Sequence, residues 1–217
     1  MANVSNETAE IFGVAHHELE FRESTVSPAR RIADITLALA ALPIVAGVSL
    51  IILMLNWRYN PGPLFFSQIR MGAHGSSFRM WKFRTMLEAS GVRGPDDAVE
   101  EDRITRLGRV MRRTRLDELP NFYNVLLGEM SFIGPRPDAW DHAIWHREHV
   151  PYYAERFRIA PGITGLAQVR NGYADSVHAV RKKARLDAFY VRHQCLKLDL
   201  FIVLSTFRIV FTGEGAK

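Results

Sequence analysis

Between Ile35 and Trp57 the chain carries no charged residue. At ~1.5 Å of helical rise per residue, this run is long enough to match the ~30 Å hydrocarbon core of a bilayer. Arg30 and Arg31 flank one end and Arg58 the other, so positive charge gives no inside–outside asymmetry. Pro43 and Gly47 lie near the middle. A proline there removes its own donor, frees the carbonyl of Leu39 and kinks a helix. A bent helix that enters and leaves by one face keeps Arg31 and Arg58 on the same side, whereas a straight one separates them. A buried core helix is the poorer reading, because so long a charge-free run is uncommon in a chain of 217 residues. Residue physics leaves the re-entrant and spanning readings level.

The remainder is not built for a bilayer. Hydrophobic residues make up 47% of the chain, an ordinary share that excludes a polytopic membrane protein. The length suits one domain with a real core, or a modest domain plus an appendage. A net charge of +5 suits nucleic acid, an anionic membrane surface or a polyphosphate substrate, without choosing among them. Cys195 is alone, so no internal disulfide can form, which fits a reducing compartment. The N-terminus does not read as a cleaved signal peptide, since the tail before the apolar run is polar and mixed in charge. Residues 1–26 show little periodicity and are expected to be disordered.

After the apolar run, Asn60-Pro-Gly-Pro63 is a helix-stopping turn. Leu64–Arg70 and Ser77–Thr85 read as strands of a hairpin closed through Gly72–Gly75. Alternation puts Phe78, Met80, Lys82 and Arg84 on one face. Two cations on a strand face are by themselves a solvated surface; a paired grip on a diphosphate gains weight only with the rest of a site. The acidic stretch from Pro95 leads to a helix start that Asp102 or Asp97 could cap. Six arginines follow between Arg103 and Arg115, with Ile104, Leu107, Val110 and Met111 at helical spacing opposite most of them. Such a helix is either a solvated face or one lying against anionic headgroups.

Asp117 and Glu118 come next, adjacent carboxylates between those arginines and Gly134-Pro-Arg-Pro137. A carboxylate can attack phosphorus or hold a metal, and guanidinium groups can hold phosphate oxygens. Neighbours on a helix diverge by ~100°, so the two acids should divide the labour. An isolated Asp-Glu pair is more often a helix cap or half of a surface ion pair. Pro137 biases Arg136 toward extended backbone, presenting its guanidinium with little entropy left to lose. Pro161-Gly-Ile-Thr-Gly165 is a further turn, with Leu166–Val169 as a short strand after it. His142, His146 and His149 have a spacing that can gather a metal, but a surface helix is the preferred reading. Val180–Gln194 reads as a basic amphipathic helix carrying Asp187. Leu198–Val210 is an apolar closing segment too short to span a bilayer, which packs on the core or lies in the interface.

Together these pieces resemble the bacterial sugar transferase family, the small monotopic polyprenol-phosphate phosphoglycosyl transferases. The matching residues are Arg31-x-x-Asp34, Pro61-Gly-Pro-Leu-Phe-Phe66, Lys82-Phe-Arg-Thr-Met86, Leu116-Asp-Glu-Leu-Pro120, Asn124-Val-Leu-x-Gly-Glu-Met-Ser131, Gly134-Pro-Arg-Pro137 and Pro161-Gly-Ile-Thr-Gly165, in the family's order. The resemblance implies transfer of a sugar-1-phosphate from a UDP-sugar to undecaprenyl phosphate, with UMP released, at the cytoplasmic face of the bacterial inner membrane. It implies Asp117 as the nucleophile of a phosphosugar-enzyme intermediate, and a Mg²⁺ dependence with Asp117 and Glu118 as the metal side. Arg136, Lys82, Arg84, Arg112 and Pro137 form the expected phosphate-binding set. Where family members carry Ser-Pro at the bend of a re-entrant helix, this chain has Ala46-Gly47, with the proline earlier at Pro43.

The expected architecture is α+β. A polar tail (1–28) precedes a re-entrant helix-break-helix (29–58) bent at Pro43 and Gly47. A compact cytoplasmic catalytic domain (59–213) follows, with a small β-hairpin or sheet and amphipathic interfacial helices, then a short tail (214–217). Membrane lipids are expected partners and nucleic acid is not. The oligomeric state is left open, a homodimer included, and the sugar cannot be read. A membrane-associated UDP-sugar hydrolase and a non-enzymatic basic membrane adaptor are the rival readings. The apolar hairpin speaks against the first, and the acid pair among ordered arginines against the second.

Overall fold

The structure is a computed structural model that describes residues 27–87, 101–171 and 177–212. The expected disordered tail, Asp97 and residues 214–217 lie outside the described residues.

The apolar run forms helix α1, Pro28–Tyr59. It is long and apolar enough to cross a membrane, with a mean hydropathy of 2.6 over its best window. Its outward face shows Leu39, Ile44, Leu50, Ile51 and Met54. The expected two helices with a break are one continuous element, with Pro43 inside it. Proline costs that helix one donor and leaves its own φ helical, so the spiral can run through. A Cβ on Gly47 would meet nothing within 4 Å.

Both flanks of α1 rest on the same globular body. Near its start, Arg31 donates to the Val125 and Leu126 carbonyls at 2.5 and 2.7 Å. Asp34 accepts from the Phe132 amide at 3.1 Å. Ala38 packs with Phe78, Met80, Val125 and Met130. Near its end, Ile52 packs with Phe83 and Met111. Asn60 Nδ2 donates to the Arg84 carbonyl at 2.8 Å.

The expected hairpin is present: β1 (Phe65–Met71) pairs antiparallel with β2 (Ser77–Phe83), Gln68 opposite Met80. Phe78 and Met80 are buried, as the alternation requires, but Phe83 is buried too, against α1. Helix α2 (Arg106–Thr114) is capped by Thr105, whose hydroxyl accepts from the Gly108 amide at 2.9 Å, and not by Asp102. Arg115, in the left-handed region at φ 59°, ends it. A 3₁₀ turn, Leu116–Glu118, then leads into α3, Asn121–Leu127.

Strand β3 (Ser131–Ile133) pairs in parallel with β4 (Gly162–Thr164). Between them run α4 (Trp140–His149) and the 3₁₀ segment Tyr153–Arg158. The expected strand at Leu166–Val169 is instead the start of helix α5, Leu166–Asn171. The strand lies earlier, inside the glycine turn. A Cβ on Gly162 would fall 2.0 Å from the Gly134 amide nitrogen, and one on Gly165 would fall 2.1 Å from the Gly134 carbonyl oxygen. The two glycine motifs therefore exist to let their backbones touch. Helices α6 (Val177–Arg192) and α7 (Leu196–Thr212) close the fold over a core of Leu186, Phe189, Tyr190, Leu198 and Ile202.

Candidate active site

The acid pair sits on the short turn between α2 and α3, and both residues are buried. Both carboxyls feel Lys82, Arg136 and Arg115, but their direct contacts differ. Glu118 faces a ring of cations. Arg136 donates to it from both Nη atoms, at 3.0 and 2.5 Å. Lys82 Nζ lies 3.3 Å away and Arg115 Nη1 3.9 Å away. Asp117 differs: its Oδ1 is buried and has no hydrogen-bond partner among the described residues.

The electrostatics follow from that contrast. Burial pushes the Asp117 carboxyl above its ordinary range; Lys82 opposes the shift and the Glu118 charge adds to it. Burial alone would raise Glu118 as well, but Arg136 and Lys82 outweigh it and hold the carboxyl well below its ordinary range. Lys82 is pushed down to about 8, first by burial and then by Arg136, with Glu118 pulling the other way. The site thus holds one carboxylate fixed as an anion by direct ion pairs and, beside it, one that the same cations favour only through space and whose burial outweighs them.

Of the expected phosphate-binding set, Lys82 and Arg136 converge on the acid pair. Arg84 does not. Its guanidinium donates to the carbonyls of Pro63 at 2.7 Å, Pro61 at 2.9 Å, Met86 at 3.0 Å and Asn60. Its donors are spent clamping the turn that follows α1, and β2 ends at Phe83, before Arg84 can share the face of Lys82. Arg112 points its Nη1 to the Met86 sulfur at 3.5 Å, and besides Arg136 it is Arg115 that lies within reach of Glu118. Pro137 contributes through its carbonyl, which accepts from Arg70 Nη1 at 3.0 Å. His142, His146 and His149 lie on α4, where Trp145 stacks on His149 with 4.5 Å between ring centroids.

Sequence reasoning missed several residues around the site. Arg70 is pushed down to about 10, by burial and then by its nearness to Arg136. Asn121 is fully buried one turn after Asp117, and neither end of its carboxamide has a partner among the described residues. Asp138, Arg156, Lys183 and Asp187 form a charged cluster behind the Arg136 loop. The available signals were a third acid directly after Pro137 and an Asp inside an otherwise basic helix.

The turn that sets two acids against Lys82, Arg115 and Arg136 lies within the stretch that matches a known family. Residues 25–213 match the family model described as bacterial sugar transferase. The chain belongs to that family. It is 40% identical over 185 residues to the Aeromonas hydrophila UDP-N-acetylgalactosamine-undecaprenyl-phosphate N-acetylgalactosaminephosphotransferase, covering 85% of this chain and 44% of that protein. It is 38% identical over 192 residues to the Caulobacter vibrioides UDP-glucose:undecaprenyl-phosphate glucose-1-phosphate transferase, covering 86% of this chain and 71% of that one. To the Rhizobium leguminosarum exopolysaccharide production protein PSS it is 38% identical over 184 residues, covering 82% of this chain and 92% of the relative. The chain spans less than half the length of several relatives, the Aeromonas protein among them.

Proposed function

We propose that this chain is a phosphoglycosyl transferase that moves a sugar-1-phosphate from a UDP-sugar to undecaprenyl phosphate and releases UMP. The observation that carries this reading is the buried Asp117 carboxyl, whose Oδ1 has no hydrogen-bond partner among the described residues, in the field of Lys82, Arg136 and Arg115. An Asp117 oxygen attacks the phosphorus that bears the sugar. The bond from that phosphorus to the bridging oxygen breaks, and UMP leaves with the electron pair. The sugar phosphate is then an acyl phosphate on Asp117. An oxygen of the lipid phosphate attacks the same phosphorus, and the Asp117 carboxylate departs. Two diphosphate-type bonds are exchanged, so the task is positioning and charge management. Lys82 and the Arg136 fork offset phosphate charge as the anionic carboxylate approaches. The covalent relay lets a water-soluble donor and a lipid acceptor use one site in turn.

Mg²⁺ belongs to the same proposal. Among the described residues no cluster of three or more His, Cys, Asp or Glu gathers. A cation here would draw on one or two carboxylates and complete its shell with phosphate oxygens and water, as Mg²⁺ does. The donors fit: among the described residues Asp117 Oδ1 has no partner, and Glu118 Oε2 takes a single Arg136 bond. Asp117 and Glu118 would hold the ion, which supplies further neutralisation of the diphosphate.

The proposal places the enzyme at the cytoplasmic face of the bacterial inner membrane, with α1 re-entrant. Support comes from its two flanks: Arg31, Asp34 and Ala38 at one end and Ile52 and Asn60 at the other pack on one body. A straight span would leave one end ~30 Å from that body, across the hydrocarbon core.

The test is to incubate the protein with UDP-sugars and undecaprenyl phosphate and measure UMP. Sustained UMP release that needs the lipid, with no more than one UMP per chain and a sugar-phosphate mass adduct on Asp117 when the lipid is withheld, is the expected result. UMP and free sugar-1-phosphate formed over many turnovers equally fast without lipid would mean hydrolysis instead.

A further inference from the structure

The segment that carries Arg136 is gripped from behind by charges that the chemistry above does not use. Arg156 is 3% exposed and lies in the 3₁₀ segment Tyr153–Arg158. Its Nη1 pairs with Asp138 Oδ2, and its Nη2 donates to the main-chain carbonyl of Arg136. The same Nη2 lies 3.2 Å from Asp187 Oδ2 on α6. Asp138 also accepts from Lys183 Nζ and from the Tyr153 hydroxyl, each at 2.6 Å. Arg70 holds the Pro137 carbonyl at 3.0 Å, and the Met71 amide donates to the Asp138 carbonyl at 3.3 Å. Residues 136, 137 and 138 are each held at a main-chain oxygen.

Two carboxylates and two cations make the cluster neutral, but taking four charges out of water costs several kcal/mol per ion before they pair. Apolar side chains of the same volume would hold a loop in place about as stably. What they cannot do is orient a carbonyl, whereas a planar guanidinium fixes direction as well as distance. The carbonyl in question belongs to the residue whose own guanidinium grips Glu118.

We propose that Arg156 is a positioning residue: braced by Asp138 and Asp187, it holds the Arg136 carbonyl and so aims the Arg136 fork at Glu118. This rests on the reading of Asp117 as nucleophile, because it makes Arg156 act on the transfer through Arg136 alone. Arg156→Lys keeps the charge, but one ammonium cannot span the Arg136 carbonyl and both carboxylates at once.

The experiment is a kinetic cycle of Arg156→Lys and Arg136→Lys on the full chain, read as kcat and KM for UMP release, with melting temperatures alongside. Arg156→Lys should lower kcat by roughly 10–100-fold, the scale of an ångström misplacement. In the Arg136→Lys background it should cost less than about twofold more, because the fork it aims is already gone. Losses that simply multiply would overturn the inference and leave Arg156 a scaffold residue. Tyr153→Phe removes one bond on Asp138 and spares the Arg136 carbonyl contact, so it should stay near wild type; a loss equal to that of Arg156→Lys would also overturn it. Should Arg156→Lys fail to fold, Asp187→Asn takes its place in the cycle, with the same two outcomes. No UMP from the wild-type chain would instead remove the transferase reading itself.

Discussion

Arg136 lays both Nη nitrogens on Glu118, while Asp117, the residue just before Glu118, keeps an oxygen without a partner among the described residues. The pair is thereby split into a fixed anion and a carboxylate free to react. Asp117→Asn should lower UMP release by roughly 10³-fold or more, as loss of a covalent nucleophile does. Its effect on stability should have the opposite sign. Because burial raises the folded pKa of Asp117, its contribution is fullest below the ordinary carboxylate pKa and is lost as pH climbs through the raised value. At neutral pH the amide removes that penalty, so the melting temperature should equal or exceed that of wild type. A clear fall would mean that Asp117 is held by contacts its burial does not suggest.

Arg136→Ala should be costly on both counts. Losing a preorganised donor at developing charge lowers kcat by about 10²–10³-fold. Leaving buried Glu118 to Lys82 and the distant Arg115 should destabilise by about 2 kcal/mol or more. The folded pKa of Glu118 is depressed, so its stabilisation is present above the unfolded value and is lost as pH falls toward the folded one. Acid unfolding of Arg136→Ala should therefore begin at higher pH than in wild type. Glu118→Gln added to Arg136→Ala should cost less than the sum of the single changes, measured by denaturant unfolding.

Lys82 should set the alkaline limit of the rate. With its pKa pushed down to about 8, the ammonium is intact at neutral pH and is lost above it. If its charge offsets phosphate charge, the rate should fall about tenfold per pH unit beyond pH 8. Lys82→Arg should move that limb up by more than a unit, because a guanidinium stays charged. A limb unmoved in Lys82→Arg would assign the titration to another group.

Much of the fold and the centre of the site were legible. The hairpin, α2, α4 and α6 follow from periodicity and turn residues, and the placing of Lys82 and Arg136 with the acid pair from the family resemblance. Failures fell where local pattern is silent. Lys82 and Arg84 alternate together on paper, but the strand ends between them and turn carbonyls capture Arg84. Asp102 was the stronger cap by residue type, yet Thr105 sits where the first free amides emerge. The Leu166 strand was a helix because pairing in this region is parallel and non-local, and no short window contains both β3 and β4. The Asp138–Arg156–Asp187 cluster joins residues from three separate stretches of chain, so spacing could not reveal it.

The two flanks of α1 give the last prediction. Arg31 and Asn60 are both tied to the globular body, so both ends of an apolar helix of 32 residues should lie on one side of the membrane. Single cysteines at positions 28 and 60, in a background where exposed Cys195 is replaced, should both react with an impermeant maleimide from the cytoplasmic side only. Replacing Pro43 by Leu restores the missing donor to the Leu39 carbonyl and should straighten the helix. If bending at Pro43 is what returns the chain to the cytoplasmic side, some Pro43→Leu molecules should expose one of the two cysteines to the opposite face. Labelling from opposite sides in the wild-type chain would mean a spanning helix, and α1 could not then be packed at both ends as it is here.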